Sequence, residues 1–106
     1  MGFLEFWKRT DIHEALTGYT ADPNAVLLDV RTEEEFAEGR IPHSRNIPLD
    51  QLQRVRQEVE DLDTPLYLYC HSGARSRVAT EQLRRMGYTN LHDLGGMIAY
   101  RGKVER

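Results

Sequence analysis

The chain holds 106 residues, 29% of them charged, with a net charge of −3 and a single cysteine. That length supports one modest core and leaves no room for a second. Lys and Arg are scattered among acidic residues, which argues against a nucleic-acid binder, and a lone cysteine excludes an internal disulfide or a structural zinc site.

Residues 1–9 carry Phe3, Leu4, Phe6 and Trp7, but Glu5 interrupts the apolar run. The segment reads as neither a secretory signal nor a membrane span. Phe6 also stands where an N-myristoylation motif wants Ser or Thr. These residues are expected to form a short N-terminal extension that packs against the domain or a partner. Thr10 or Asp11 then caps a short helix over residues 11–19, with Gly18 near its end. The turn at Asp22-Pro23-Asn24 leads into a buried strand over 25–29. Thr32 and Glu35 have capping-box spacing and open a short helix that stops near Gly39. Asn46-Ile47 is a short strand. Asp50 opens a helix in which Leu52, Val55, Val59 and Leu62 recur at helical spacing, as far as Asp63-Thr64-Pro65. Leu66-Tyr67-Leu68-Tyr69 is an uninterrupted apolar and aromatic run, the pattern of a strand buried on both faces of a parallel sheet. Helical periodicity resumes at about Ser76, where Val78, Ala79, Leu83 and Met86 line one side and Gly87 supplies a stop. Residues 91–94 form another strand, closed by Gly95-Gly96, and 97–101 a last helical turn or two. This alternation predicts a single α/β domain on a mostly parallel central sheet flanked by helices on both faces.

Cys70 falls between a strand and a helix, at the carboxyl end where open α/β sheets place their ligand crevice. Free N–H groups at a helix N-terminus and the helix dipole favour an anion there, the dipole alone by ~0.3–1 kcal/mol. A thiolate is such an anion. The backbone from His71 to Ser76 is expected to curl over the sulfur, with Gly73 supplying a positive φ at little cost and Arg75 a nearby cation. A free cysteine is more often a small buried hydrophobe, yet packing alone gives no reason for Ser72-Gly73-Ala74-Arg75-Ser76 to follow it. Cys70 is therefore read as a nucleophile, with His71, Ser72, Gly73, Ala74, Arg75 and Ser76 around its ligand. Arg75 either binds an anionic donor or braces the loop. Asp29 ends its strand on the same side and either holds Arg75 or Arg31 or serves as an ordinary capping aspartate. Arg31 and Glu35 are expected to form a structural ion pair, and His71 to face solvent. His13, His43 and His92 have no metal-ligand spacing. Tyr67 and Tyr69 read as core.

Cys70-His71-Ser72-Gly73-Ala74-Arg75-Ser76 resembles the C-x-x-G-x-R-S active-site loop of the rhodanese family. Leu27-Leu28-Asp29-Val30-Arg31, with Glu35-Phe36, resembles the family's L-[IL]-D-V-R-x-x-x-E-[FY] segment. Gly39-Arg40-Ile41-Pro42 through Asn46-Ile47-Pro48 resembles its G-H-I-P-G-A-x-N-I-P. Gly95-Gly96 with Tyr100 resembles its closing G-G-x-x-x-W. The similarity runs in the family's order over about residues 25–102. Arg40, His43-Ser44 and Tyr100 depart from the usual His, Gly-Ala and Trp, in connecting or closing segments.

The resemblance implies a sulfurtransferase acting through a Cys70 persulfide, with Asp29 and Arg31 in support and with no cofactor or metal. Its expected partners are a small-molecule sulfur donor such as thiosulfate, or a protein persulfide, and a cyanide or thiol acceptor; neither nucleic acid nor membrane is expected. Rhodanese-like phosphatases and arsenate reductases enlarge the loop to five residues between Cys and Arg, whereas here four intervene. That count favours a single sulfur atom over a phosphoryl group. A non-catalytic sulfur-carrier or docking module is the third class, although such modules generally lose the cysteine or the loop. A single unpaired cysteine fits the reducing cytoplasm.

Overall fold

The computed structural model describes residues 11–106, so the expectations for Phe3, Phe6, Trp7 and a Thr10 cap lie outside the described residues. In chain order the elements are α1 (Ile12–Ala21), β1 (Val26–Asp29), α2 (Glu33–Glu38) and β2 (Arg45–Asn46). A 3-10 helix (Leu49–Arg54) then runs into α3 (Val55–Glu58), followed by β3 (Leu66–Cys70), α4 (Ala74–Arg85), β4 (Leu91–Gly96) and a 3-10 turn at Met97–Ala99. The four strands form one sheet in the order β2-β1-β3-β4, and every pair is parallel.

That order positions the site. From β1 the chain moves outward to β2, then returns to β3 on the other side and moves on to β4. The direction reverses between β1 and β3, and a crevice opens there at the carboxyl ends of the strands. Asp29, the last residue of β1, pairs in register with Tyr69. Cys70 follows Tyr69 at the end of β3, so the thiol stands at the switch point.

β1 and β3, the two central strands, bury both faces, which is why they read as continuous apolar runs. On one face Leu28, Leu66, Leu68 and Cys70 pack with Val55, Ala79, Leu83 and Tyr88. On the other, Leu27, Tyr67 and Tyr69 pack with Ile12, Ile41 and Leu94, and α1 adds Ala15 and Leu16. Tyr88, fully buried, donates from its hydroxyl to the Val59 carbonyl at 2.6 Å and ties α4's exit to α3.

Local signals account for most boundaries. Asp11 caps α1 by accepting from the His13 amide at 2.9 Å, and the Thr32–Glu35 capping box closes reciprocally on α2. Gly87, at φ 106°, ends α4. Gly18 lies inside α1 rather than at its end, because a Cβ there would come within 2.9 Å of the Tyr67 hydroxyl. Glycine keeps α1 close to the sheet. The continuous helix expected from Asp50 to Leu62 instead breaks into a 3-10 segment and one α turn, with Gln51 in non-helical backbone at φ −123°. Leu52, Val55 and Val59 stay buried through the kink, while Leu62 is exposed. In α4 the buried stripe is Ser76, Ala79, Thr80 and Leu83, so Val78 points outward instead of inward. Ser76 and Thr80 are tolerated inside because each hydroxyl has a partner: Ser76 reaches Asp93, and Thr80 donates to the Ser76 carbonyl at 2.7 Å. β4 extends two residues past the expected Leu94 through a register shift opposite Leu68/Tyr69, which carries Gly95 and Gly96 under the loop.

Leu68 is fully buried at the centre of the sheet. Leu68→Ala is expected to lower unfolding free energy by ~2–5 kcal/mol, read from urea denaturation, with an unchanged far-ultraviolet dichroism spectrum.

Candidate active site

Cys70 ends β3 with no exposed surface, and its Sγ accepts two backbone hydrogen bonds. The Gly73 amide approaches at 3.0 Å and the Ser76 amide at 3.3 Å. Gly73 reaches its position at φ 105°, left-handed backbone that a side chain disfavours. From Ala74 the chain becomes α4, so the positive end of the helix dipole also faces the sulfur. His71, Ser72 and Ala74 are exposed along the outside of the curl.

Three contacts lock this curl. The Ser76 hydroxyl donates to Asp93 Oδ1 at 2.7 Å, and the same oxygen accepts from the Gly95 amide at 2.9 Å. The His71 carbonyl accepts from the Ile98 amide at 3.0 Å. Gly96 passes directly beneath the loop, where a Cβ would fall 2.7 Å from Ser72 Cα and also collide with the His71 carbonyl. Only glycine permits that approach at Gly96, while Gly95 takes φ 82°, left-handed backbone that a side chain disfavours.

Arg75 does not reach into the cradle. Its guanidinium grips Glu35 through two bonds, 2.6 and 3.0 Å, and so staples the loop to α2. Asp29 and Arg31 form a separate, buried pair. Asp29 accepts from the Arg31 backbone amide at 2.9 Å and from its guanidinium at 2.6 and 3.0 Å, while Arg31 also donates to the Gly39 carbonyl at 2.7 Å. The expected Arg31–Glu35 ion pair is thus replaced by two others. Arg31 is two residues from Asp29, and one turn closes that short loop, whereas Glu35 in the first turn of α2 faces the Cys70 loop. Asp29 holds Arg31, not Arg75.

The electrostatics follow these contacts. The Arg75 guanidinium, aided by the Thr32 amide, holds the Glu35 carboxyl down at about 2, and Glu35 in turn raises Arg75. Burial opposes the charge on Arg31, but Asp29 outweighs it and the pKa rises. Burial, with the Asp29 charge close by, pushes the Tyr69 hydroxyl up. That hydroxyl accepts from the Ile41 amide at 3.1 Å and sits 3.0 Å from the Ser44 hydroxyl, which fixes the turn after Pro42.

Two contributors escaped sequence reasoning. Asp93 gave no signal, because its role depends on the β4 register shift. Glu35 stood in the motif, but its partner lies 40 positions away and becomes visible only once α2 is docked beside the loop. Among the described residues, no group of three or more His, Cys, Asp or Glu is placed to hold a metal ion, and no helix is long and apolar enough to cross a membrane.

Comparison with known proteins gives a consistent match. A family model of the rhodanese-like domain covers residues 12–103. Over 82 residues the chain is 43% identical to YqhL of Bacillus subtilis, an uncharacterized protein, a match covering 76% of this chain and 64% of YqhL. Over 89 residues it is 39% identical to a protein named sulfurtransferase from Allochromatium vinosum, covering 82% of each. A solved rhodanese with anions from E. coli aligns with TM-score 0.73 at 29% identity, over 77% of this chain and 98% of that one. The chain spans less than two thirds of YqhL and only 46% and 26% of two other curated relatives.

Two predictions test the cradle's supports. Gly96→Ala forces the His71–Ser72 backbone to move and is expected to cost ~1–3 kcal/mol, with the Gly73 and Ser76 amide resonances displaced in an NMR spectrum. The Glu35 carboxyl titrates at about 2 in the folded chain against 4.5 ordinarily. Between those values the unfolded chain binds more protons, so the pair's contribution is complete above the higher value and fades as pH falls. Both side chains are about one-third exposed, which limits that contribution to about 1 kcal/mol. Urea midpoints should therefore fall more steeply between about pH 4.5 and 3 for the natural chain than for Glu35→Gln.

Proposed function

The chain belongs to the rhodanese-like domain family, and on that premise we propose that it is a sulfurtransferase carrying sulfane sulfur as a Cys70 persulfide. The observation that supports this most is the convergence of the Gly73 and Ser76 amides on one sulfur atom. A site of that size suits a sulfur anion. The four-residue spacing from Cys70 to Arg75 gives it no wider opening for a tetrahedral oxyanion.

In the first half-reaction the Cys70 thiolate attacks the outer sulfur of thiosulfate or a related donor. A bond forms between Sγ and that sulfur, the donor's sulfur–sulfur bond breaks, and sulfite leaves with the electron pair. In the second, cyanide or a thiolate takes the outer sulfur and the pair returns to Sγ. The steps are covalent catalysis in two stages, and ping-pong kinetics are expected. Amides that donate to Sγ favour negative charge developing on that atom at both ends of the cycle. Cys70 is fully covered, so in this reading its surroundings open to admit the donor. Ser76 and Arg75 anchor the far side of the loop through Asp93 and Glu35, so in this reading Arg75 braces more than it binds. Asp29 and Arg31 shape the neighbouring strand end without touching the sulfur.

With no second cysteine in the sequence, the sulfur leaves to an external acceptor. The partners in this reading are a small-molecule donor or a protein persulfide, and cyanide or a thiol. A reducing cytoplasm suits the unpaired thiol.

Incubation with thiosulfate is expected to add one sulfur by intact mass, and cyanide to discharge it as thiocyanate, without aryl-phosphate hydrolysis. Cys70→Ser abolishes both. Phosphate release in place of thiocyanate would overturn the reading in favour of a phosphatase, and neither activity would leave a carrier or docking module.

A further inference from the structure

A cavity of about 470 Å³ lies between α1 and the edge strand β4, with Tyr67 of β3 also lining it, and no residue of the Cys70 loop belongs to its walls. Its volume falls within the ~300–1,000 Å³ of small-molecule pockets. Tyr67 is only 8% exposed, and its ring is fixed by Tyr19 at its edge and by stacking on His92 at 4.4 Å. The Tyr67 hydroxyl, by contrast, makes no hydrogen bond among the described residues, although every fully sealed side-chain nitrogen or oxygen there has a partner. The hydroxyl therefore keeps its remaining surface in the cavity. Gly18 leaves it that room, since a Cβ at this position would fall 2.9 Å from the phenol oxygen. A buried tyrosine ordinarily finds a partner for its hydroxyl, and here the partner has to come from outside the described chain.

The lining sets the charge of that partner. Glu14 and Asp93 bring carboxylates to the cavity, and neither Lys nor Arg is among its described lining residues. Glu14 is exposed and makes no ion pair among the described residues. Asp93 commits Oδ1 to Ser76 and Gly95, while its Oδ2 accepts nothing among the described residues. The other polar groups are already engaged: the Thr17 hydroxyl donates to the Glu14 carbonyl, and His92 Nε2 lies 2.7 Å from Asn90 Oδ1. Two carboxylates and a phenol oxygen remain open. Such a lining repels anions and calls for a cation that donates hydrogen bonds. A metal ion is a poor match, because no group of three or more His, Cys, Asp or Glu among the described residues is placed to hold one. Ala15 and Leu94 add an apolar wall suited to an alkyl chain.

We propose that this cavity binds an aliphatic amine in its ammonium form, with its N–H donors on Glu14, Asp93 and the Tyr67 hydroxyl and its alkyl chain against Ala15 and Leu94. A charged donor on a carboxylate makes one of the stronger classes of hydrogen bond, and the phenol oxygen gains the partner it lacks. Binding is non-covalent and stands whether or not Cys70 carries sulfur. Asp93 also belongs to the cradle's frame, so the cavity and the Cys70 loop share one side chain.

The test titrates the isotope-labelled full chain with butylammonium chloride at constant ionic strength and follows its amide resonances by NMR. Saturable shifts are expected at Gly18, His92 and Leu94. Tetramethylammonium chloride, which carries the charge without an N–H, should leave those resonances in place. Glu14→Gln should weaken butylammonium binding by about tenfold, the loss of a charged acceptor. Tyr67→Phe should weaken it by about threefold, the loss of one neutral hydrogen bond. Tyr67→Phe keeps the stacked ring and removes only an oxygen that no described residue uses, so the variant retains the fold. Glu60→Gln, at an exposed carboxylate outside the cavity, should leave the affinity unchanged. Unchanged affinity in either cavity variant, equal shifts with tetramethylammonium, or no saturable shift in the natural chain would each overturn the site.

Discussion

Two backbone amides meeting at one sulfur are the constraint around which this small domain is arranged. Amides of a loop point wherever the backbone is forced, so the surrounding residues act on the backbone rather than on the thiol. Gly73 accepts the left-handed turn that aims its own N–H inward. Ser76, fixed by Asp93, sets the second N–H at the start of α4. Gly96 supports the underside at a separation no other residue allows. Arg75 and Glu35 tie down the side facing α2. The loop's conspicuous cation therefore serves architecture, and dipoles hold the sulfur.

The sheet order brings these supports together. Because the chain reverses direction between β1 and β3, the end of β3 is flanked by the end of β1 on one side and of β4 on the other. β1 supplies Asp29 and leads into α2 with Glu35; β4 supplies Asp93, Gly95 and Gly96. The residues of the cradle's frame come from three separate stretches of sequence, and parallel pairing makes neighbours of all of them. The buried Asp29–Arg31 pair has its cost offset by hydrogen bonds on both partners, a condition for keeping charges inside.

Much of this was legible in the residues. Apolar runs announced β1 and β3, Thr32 and Glu35 announced the capping box, and the cysteine between strand and helix announced the loop, because each depends on neighbours in sequence. Pairings across long separations were not legible. Glu35 pairs with Arg75 rather than Arg31 because helix docking, not spacing, decides which charge it meets. Val78 faces outward for a related reason: α4's buried stripe is set by what β4 offers, and Asp93 makes a buried Ser76 acceptable where hydropathy favours valine. The break at Gln51 likewise serves to keep Leu52, Val55 and Val59 on the sheet, a demand that helical periodicity alone cannot express.

The mutual cancellation of Arg75 and Glu35 has a consequence for how the thiol responds to its surroundings. Dissolved salt screens exposed point charges over a Debye length of ~8 Å at physiological ionic strength. Amides in contact with Sγ act well inside that distance and leave no space for an intervening ion. The two amide contacts to Sγ therefore persist in dilute and in concentrated electrolyte alike, because they belong to the backbone and not to the medium.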